Sequence, residues 1–212
     1  MIVPRTGLVH HRDRTELDWP KRRGQGRHAL LISSTYINRR TAGLAREIIR
    51  ETRKDKMDEI NLLIVLKGAV FFGCHLAQEI FRMSGPNVVL HFVSASSYGK
   101  SMRSSGSCRI TGKLNMLRGR NVIVIDDICD TGLTLAELKQ RLKKVGAKSV
   151  KTCILLDKPE RRLARLKKTP LADFIGFQIP NVFVAGFGLE DAEKYRELPF
   201  IVAVKKRLIE QI

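Results

Sequence analysis

The sequence predicts an α/β protein built on a central parallel sheet flanked by helices. Short apolar runs of strand length alternate with longer segments whose apolar residues recur at helical spacing. The run Val122-Ile123-Val124-Ile125 ends in acids and turns through Thr131-Gly132 into a new helical segment. No sharp shift in composition divides the 212 residues, so one sizeable domain with a well-buried core accounts for the chain.

Met1 to His28 carries Arg, Lys, Gly and Pro without apolar period and reads as a basic N-terminal extension with Trp19 as its large anchor, leaving 29–212 as the folded domain. Ser33 and Ser34 are candidate caps for an amphipathic helix that buries Ile37, Leu44 and Ile48 and ends in the charged run through Lys56. Ile60 to Leu66 follows as a strand, and Ala69 to Met83 as a helix with Val70, Cys74, Ala77 and Phe81 on its apolar face. Val88 to Val93 resumes the strand pattern, and strand, helix and strand in succession imply a right-handed crossover between parallel strands. Ala95 to Met116, rich in Ser, Gly and basic residues, predicts an exposed loop. Asn121 to Ile125, Leu133 to Val145 and Ser149 to Leu156 read as strand, helix and strand. Short strand-like runs close the chain at Phe174 to Ile179, Val182 to Ala185 and Phe200 to Val204.

The formal charge of +18 favours polyanionic partners, and a phosphorylated sugar or a nucleic acid satisfies that field equally. The basic residues lack the interleaved aromatics of single-strand binders, which argues against nucleic acid. The apolar runs are far too short to span a bilayer, and the N-terminus lacks the continuous apolar stretch of a secretory signal. These features predict a soluble, cytoplasmic protein. Cys74, Cys108, Cys129 and Cys153 lie far apart, without metal-ligand spacing, and read as reduced thiols.

The segment Ile125 to Thr134 carries the chemistry. Ligands of open α/β sheets bind beyond the carboxyl ends of strands, where a helix N-terminus offers unpaired N–H groups to a phosphate. Gly132 permits close backbone approach, and Thr131 and Thr134 add hydroxyl donors. Asp126, Asp127 and Asp130 would repel a phosphate unless they hold sugar hydroxyls or Mg²⁺. A plain acidic strand end capping a helix is the bland alternative, but the apolar strand before it and Thr-Gly-x-Thr after it favour the ligand site.

A hydrophobic strand, two acids and a Thr-Gly loop resemble the signature of the type I phosphoribosyltransferases. Within that family the chain is similar to the bacterial-type hypoxanthine-guanine branch, over about Ala29 to Glu210. Val-Leu-Lys-Gly-Ala at Val65, Ser-Ser-Tyr-Gly at Ser96 and Leu-Leu-Asp-Lys-Pro-Glu-Arg-Arg at Leu155 agree in order and spacing. So do Phe-Val-Ala-Gly-Phe-Gly-Leu-Glu at Phe183 and Tyr-Arg-Glu-Leu-Pro at Tyr195. The resemblance implies a parallel sheet with a small hood built from terminal segments. It also implies purine salvage: transfer of phosphoribosyl from 5-phosphoribosyl-1-pyrophosphate to hypoxanthine or guanine, with Mg²⁺ and a homodimeric or homotetrameric assembly.

Residue by residue, the resemblance assigns Asp126 and Asp127 to the ribose hydroxyls and magnesium, and Thr131, Gly132 and Thr134 to the 5-phosphate. Asp130 matches the general base near purine N7, and Lys158 the donor to O6 that selects oxopurines, since lysine can only donate. Phe183 matches the ring stacked on the base, with Val184 and Glu190 at its edge, and Arg196 and Leu66-Lys67-Gly68 match the pyrophosphate contacts. Ser97 and Tyr98 open the loop that closes over the reacting centre. Glu190 stands where the family has a metal-binding Asp, and Phe187 where it more often has Tyr. Those departures keep a catalytically weakened binding protein in view, and the charge keeps an RNA-binding regulator on the same fold.

Overall fold

The computed structural model describes residues 1–3, 28–97 and 108–204. Its main sheet has six strands in the order β4-β3-β2-β5-β6-β7. These are β2 (Glu59–Leu66), β3 (Asn87–Ser97), β4 (Cys108–Thr111), β5 (Asn121–Cys129), β6 (Ser149–Asp157) and β7 (Phe174–Gln178). All neighbours run parallel except β4, which pairs antiparallel with β3.

Helices cover both faces, so the central strands are apolar on both sides rather than alternating. Leu62, Ile64, Ile125 and Leu155 pack on one face against Ile37, Leu44 and Ile48 of α1 (Ser34–Lys54) and Phe72 and Leu76 of α2 (Val70–Arg82). Leu63, Val65, Val124 and Ile154 point the other way, onto Leu135, Leu138 and Leu142 of α3 (Leu133–Lys144). The first helix forms as the sequence predicts, with Ser33 in the N-cap position, but the Ser33 side chain makes no capping hydrogen bond. Cys74, Cys129 and Cys153 are free thiols.

Strand β1 (His28–Ile32), which apolar periodicity alone did not reveal, joins β9 (Ile201–Val204) and β8 (Phe183–Ala185) in an antiparallel sheet of order β1-β9-β8. This is the hood of terminal segments that the family resemblance implied. The chain start is also tied down: the Val3 N–H donates to the Gln178 carbonyl (2.8 Å) and Gln178 N–H to the Met1 carbonyl (2.7 Å), at the free edge of β7. The rest of the expected basic extension, 4–27 with Trp19, lies outside the described residues.

Two expectations change. The segment 95–116 is not loop throughout: β3 continues to Ser97 and pairs with β4, Ser96 opposite Arg109 and Ser97 opposite Cys108, while Leu114 and Leu117 are buried. Tyr98 and the rest of 98–107 lie outside the described residues. The buried face of α2 is Phe72, Gly73, Leu76 and Ile80, whereas Phe81 is 84% exposed. The packed row precedes the expected Ala77 and Phe81 by one residue, about 100° of rotation. The cause is Gly73: a Cβ there would sit 2.6 Å from Ile64 Cδ1, so this helix approaches β2 at a glycine that a hydrophobicity count ignores.

This rotation predicts that Phe72→Ala destabilises the fold by about 3–5 kcal/mol, whereas Cys74→Ala costs under about 1 kcal/mol. Urea unfolding of the two variants checks it, and equal losses would place Cys74 on the packed face after all.

Candidate active site

Parallel strands deliver their carboxyl ends to one edge, and the candidate residues gather there. Leu66 ends β2, Asp126 and Asp127 lie near the end of β5, and Lys158 follows β6. The turn after β2 contains a cis Leu66–Lys67 peptide. Its Gly68 is pressed against β5: a Cβ on Gly68 would lie 1.7 Å from Asp127 Oδ2. From above, the hood loop closes on the same residue, since a Cβ on Gly188 would lie 1.9 Å from the Gly68 carbonyl oxygen. Gly188 takes φ +99°, a left-handed conformation that favours glycine as much as the contact does.

Asp126 is 5% exposed, and its Oδ1 accepts the Asp127 N–H (3.1 Å), while Asp127 Oδ1 accepts the Ile128 N–H (2.8 Å). Burial pushes both carboxyls up from the usual range, Asp126 the further, and the neighbouring Asp127 charge adds to the rise at Asp126. Two adjacent carboxylates removed from water favour a proton or a cation between them. Hard oxygen donors of this kind suit Mg²⁺, which commonly takes one or two carboxylates and completes its shell with substrate phosphates and water. Among the described residues no three His, Cys, Asp or Glu side chains form a metal cluster.

The turn expected to bind phosphate follows β5. Gly132 occupies the N-cap of α3 with φ +87°, and its carbonyl accepts the Ala136 N–H (3.1 Å). Thr131 Oγ1 receives the Leu133 N–H at 3.5 Å, and Thr134 sits in the first turn. A helix N-terminus of this kind leaves unpaired amides that favour an anion. Asp130 does not cap the helix. Its Oδ1 instead accepts from Arg161 Nε at 3.0 Å.

Lys158 is only 7% exposed, so it is not the surface charge that composition alone would suggest. Its N–H donates to the Cys129 carbonyl (3.0 Å), and burial pushes its ammonium pKa down, opposed by the Asp130 charge. Phe183 opens β8 and is 48% exposed, whereas Val184 beside it is buried.

On the other flank Arg196 donates to the Gly188 carbonyl (2.8 Å) and lies 3.8 Å from Glu190 Oε1 and 3.7 Å from Glu193 Oε2. Lys67 Nζ also lies 3.6 Å from Glu193 Oε2. The cations expected to meet pyrophosphate thus share one internal carboxylate. Glu193 follows Ala192 in a left-handed turn (φ 52° and 63°), a strained geometry for non-glycine residues. Phe187 is buried against Phe71 and His75, at ring separations of 6.3 and 6.2 Å, which ties the hood loop to the start of α2.

The structure therefore brings together Leu66, Lys67, Gly68, Asp126, Asp127, Glu190 and Arg196 through the contacts around Gly68 and Gly188, and Asp130, Thr131, Gly132 and Lys158 through the loop contacts. The Ser97 side chain and all of Tyr98 lie outside the described residues. Sequence reasoning did not single out Gly188, Glu193, Arg161, Arg162 or Asp157. Asp157, Arg161 and Arg162 fall inside the Leu155 to Arg162 motif and Gly188 inside the Phe183 to Glu190 motif without a role of their own, while Glu193 carries no sequence signal that separates it from ordinary loop residues.

Residues 33–192 match the phosphoribosyl transferase domain family. The hypoxanthine-guanine phosphoribosyltransferase of Aquifex aeolicus is 39% identical over 83% of the chain and 94% of that enzyme. The one from Bacillus subtilis is 39% identical over 85% and 95%. A crystal structure of a hypoxanthine-guanine phosphoribosyltransferase from Bacillus anthracis superposes with a TM-score of 0.71 at 40% identity, covering 82% of the chain and 97% of its own. That of the Trypanosoma cruzi hypoxanthine phosphoribosyl transferase, described for the role of its C-terminal region in oligomeric state, gives 0.74 at 32% identity over 83% and 90%.

The raised Asp126 carboxyl makes a signed prediction. It holds a proton more tightly folded than unfolded, so its ionisation costs stability at neutral pH, and the cost fades as pH falls through the native pKa towards about 3.9. Asp126→Asn should therefore raise the Tm of ligand-free protein at pH 7, by roughly 2–4 °C for each kcal/mol relieved. Calorimetry from pH 4 to 8 reads this, and a gain that grows on acidification would contradict the assigned sign.

Proposed function

This chain belongs to the phosphoribosyltransferase family, and from that membership we propose that it joins hypoxanthine or guanine to the phosphoribosyl group of 5-phosphoribosyl-1-pyrophosphate. IMP or GMP and pyrophosphate are the products, and purine salvage is the role. The observation that carries the choice of base is Lys158: a buried, donor-only side chain on a backbone whose own N–H is bonded to the Cys129 carbonyl, next to Asp130. Such a group matches a 6-oxo acceptor and leaves a 6-amino purine facing an unpaired ammonium, which specificity by buried hydrogen bonding rejects strongly.

In this reading the N-terminus of α3, with Thr131, Gly132 and Thr134, binds the 5-phosphate. Asp126 and Asp127 hold the ribose hydroxyls and one magnesium ion, which supplies positive charge to the leaving pyrophosphate when bound. Glu190 is the pyrophosphate-side ligand, a role that requires it to exchange Arg196 and the Glu193 N–H for the ion. Lys67 and Arg196 take the pyrophosphate oxygens in place of Glu193, and the backbone of the 66–68 turn adds donors. Phe183 offers its half-exposed ring to the base and Val184 its backbone, while Ser97 and Tyr98 begin the covering loop. As the purine ring nitrogen attacks C1 and the bond to pyrophosphate breaks, positive charge spreads over the sugar and the base. Asp130 then accepts the N7 proton, which needs its carboxylate to leave Arg161.

A homodimer or homotetramer accords with the exposed apolar side chains of Phe81, Leu90 and Phe92, as a second copy would cover them. No helix of the described residues is long and apolar enough to cross a membrane. A cytoplasmic location follows from substrates whose phosphates keep them inside a membrane boundary.

The test is an absorbance assay with the donor, Mg²⁺ and each of hypoxanthine, guanine, xanthine and adenine. Conversion of an oxopurine but not adenine is expected, and the reading fails if no oxopurine is converted. Asp130→Ala should lower kcat by about 10²–10⁴-fold with little change in donor affinity, so an unaltered kcat would remove it from proton transfer. Sedimentation velocity should find dimers or tetramers that Phe81→Asp dissociates.

A further inference from the structure

The phosphate loop and the purine lysine belong to different strands, and something must hold them at one spacing. Strands β5 and β6 pair in parallel up to Cys129 opposite Asp157. Beyond that point the segment 158–163 folds back over 129–131. The carbonyls of Cys129, Asp130 and Thr131 each receive one donor from it: Lys158 N–H (3.0 Å), Arg162 Nη1 (3.3 Å) and Leu163 N–H (3.2 Å). The middle donor alone is a side chain. Arg162 therefore stands where a ladder hydrogen bond would otherwise be missing.

Its other contacts make that placement rigid. Arg162 Nη2 donates to Asp157 Oδ1 in an ion pair whose side chains are 10% and 6% exposed, and Nη1 also meets Cys129 Sγ. The aliphatic stem lies under the loop glycine, since a Cβ on Gly132 would stand 3.0 Å from Arg162 Cδ. A guanidinium spans the carboxylate and the carbonyl with separate nitrogens of one rigid fork, which a lysine ammonium cannot copy. Arg161 differs: it is half exposed and grips the Asp130 carboxylate, not the loop backbone.

We propose that Arg162, through its bridge between the Asp157 carboxylate and the Asp130 carbonyl, is a positioning residue that fixes the distance between the 5-phosphate loop and the lysine that reads the purine. It touches no reacting atom. It acts through Asp130, whose backbone it holds, and through the strand end that carries Lys158. This inference deepens the transferase reading above and rests on it. A displacement of about 1 Å at such a site costs on the order of 10²-fold in rate, because the 5-phosphate and the base are anchored separately and must meet in one geometry.

The test compares Arg162→Lys and Asp157→Asn with the native enzyme in steady-state kinetics and in hydrogen exchange of the amides of 131–136. Arg162→Lys should stay folded, lose about 10–100-fold in kcat/KM for both donor and hypoxanthine, and exchange those amides at least about tenfold faster, with β2 and α1 unchanged. Asp157→Asn should move both readouts in the same direction by less, and it decides the matter if the Lys variant does not fold. A lower Tm with native kinetics and native exchange in 131–136 would show mere structural support and overturn the proposal. Should the native protein convert no oxopurine, the transferase reading falls, and the exchange measurement alone still accepts or rejects the bridge.

Discussion

Everything at this site depends on how closely three backbone segments approach at Gly68. The turn after β2 has an Asp127 oxygen on one side and the hood loop on the other, at separations that leave no room for a single Cβ on either Gly68 or Gly188. Because of that contact, the acids of β5, the turn that offers Lys67 and the loop that offers Arg196 form one surface rather than three. A parallel sheet makes such an arrangement natural, since it sends every strand to the same edge and leaves the loops to differ. The hood gains its purchase on the main domain here and through Phe187, which packs against Phe71 and His75 at the start of α2.

Charge at the site is arranged in opposed reservoirs. Asp126 and Asp127 are forced together out of water, which raises their affinity for protons. Lys67 and Arg196 share Glu193 as a counter-ion, and the Arg196 charge also acts on Asp127. Lys158 is partly stripped of solvent, which pushes its pKa down, and the Asp130 charge opposes that fall.

The sequence made much of this legible, for reasons that can be traced to particular residues. Val122 to Ile125 and Leu62 to Leu66 are apolar on both faces, and only a buried parallel strand requires that. Ser, Gly and Arg in 95–116 hid the pairing of β3 with β4, because a short edge pairing satisfies backbone groups without an apolar pattern. The face of α2 was misread for a related reason: Gly73 contributes no hydrophobicity, yet its lack of a side chain is what lets the helix sit on Ile64. Strand β1 escaped notice since its partner lies some 170 residues away, as the register of His28 with Val204 shows.

The sequence by itself determined the sheet, the turn from β5 into α3 and the identity of the groups at its rim, since these follow from local pattern and from motifs whose spacing is fixed along one strand and one turn. Tertiary structure decided which groups touch. That Asp127 lies against Gly68, that Glu193 reaches Lys67, and that Arg162 donates to the Asp130 carbonyl are all contacts between residues far apart in the chain. Such contacts depend on crossing angles and backbone separations set by the whole core, and no local run of residues encodes them.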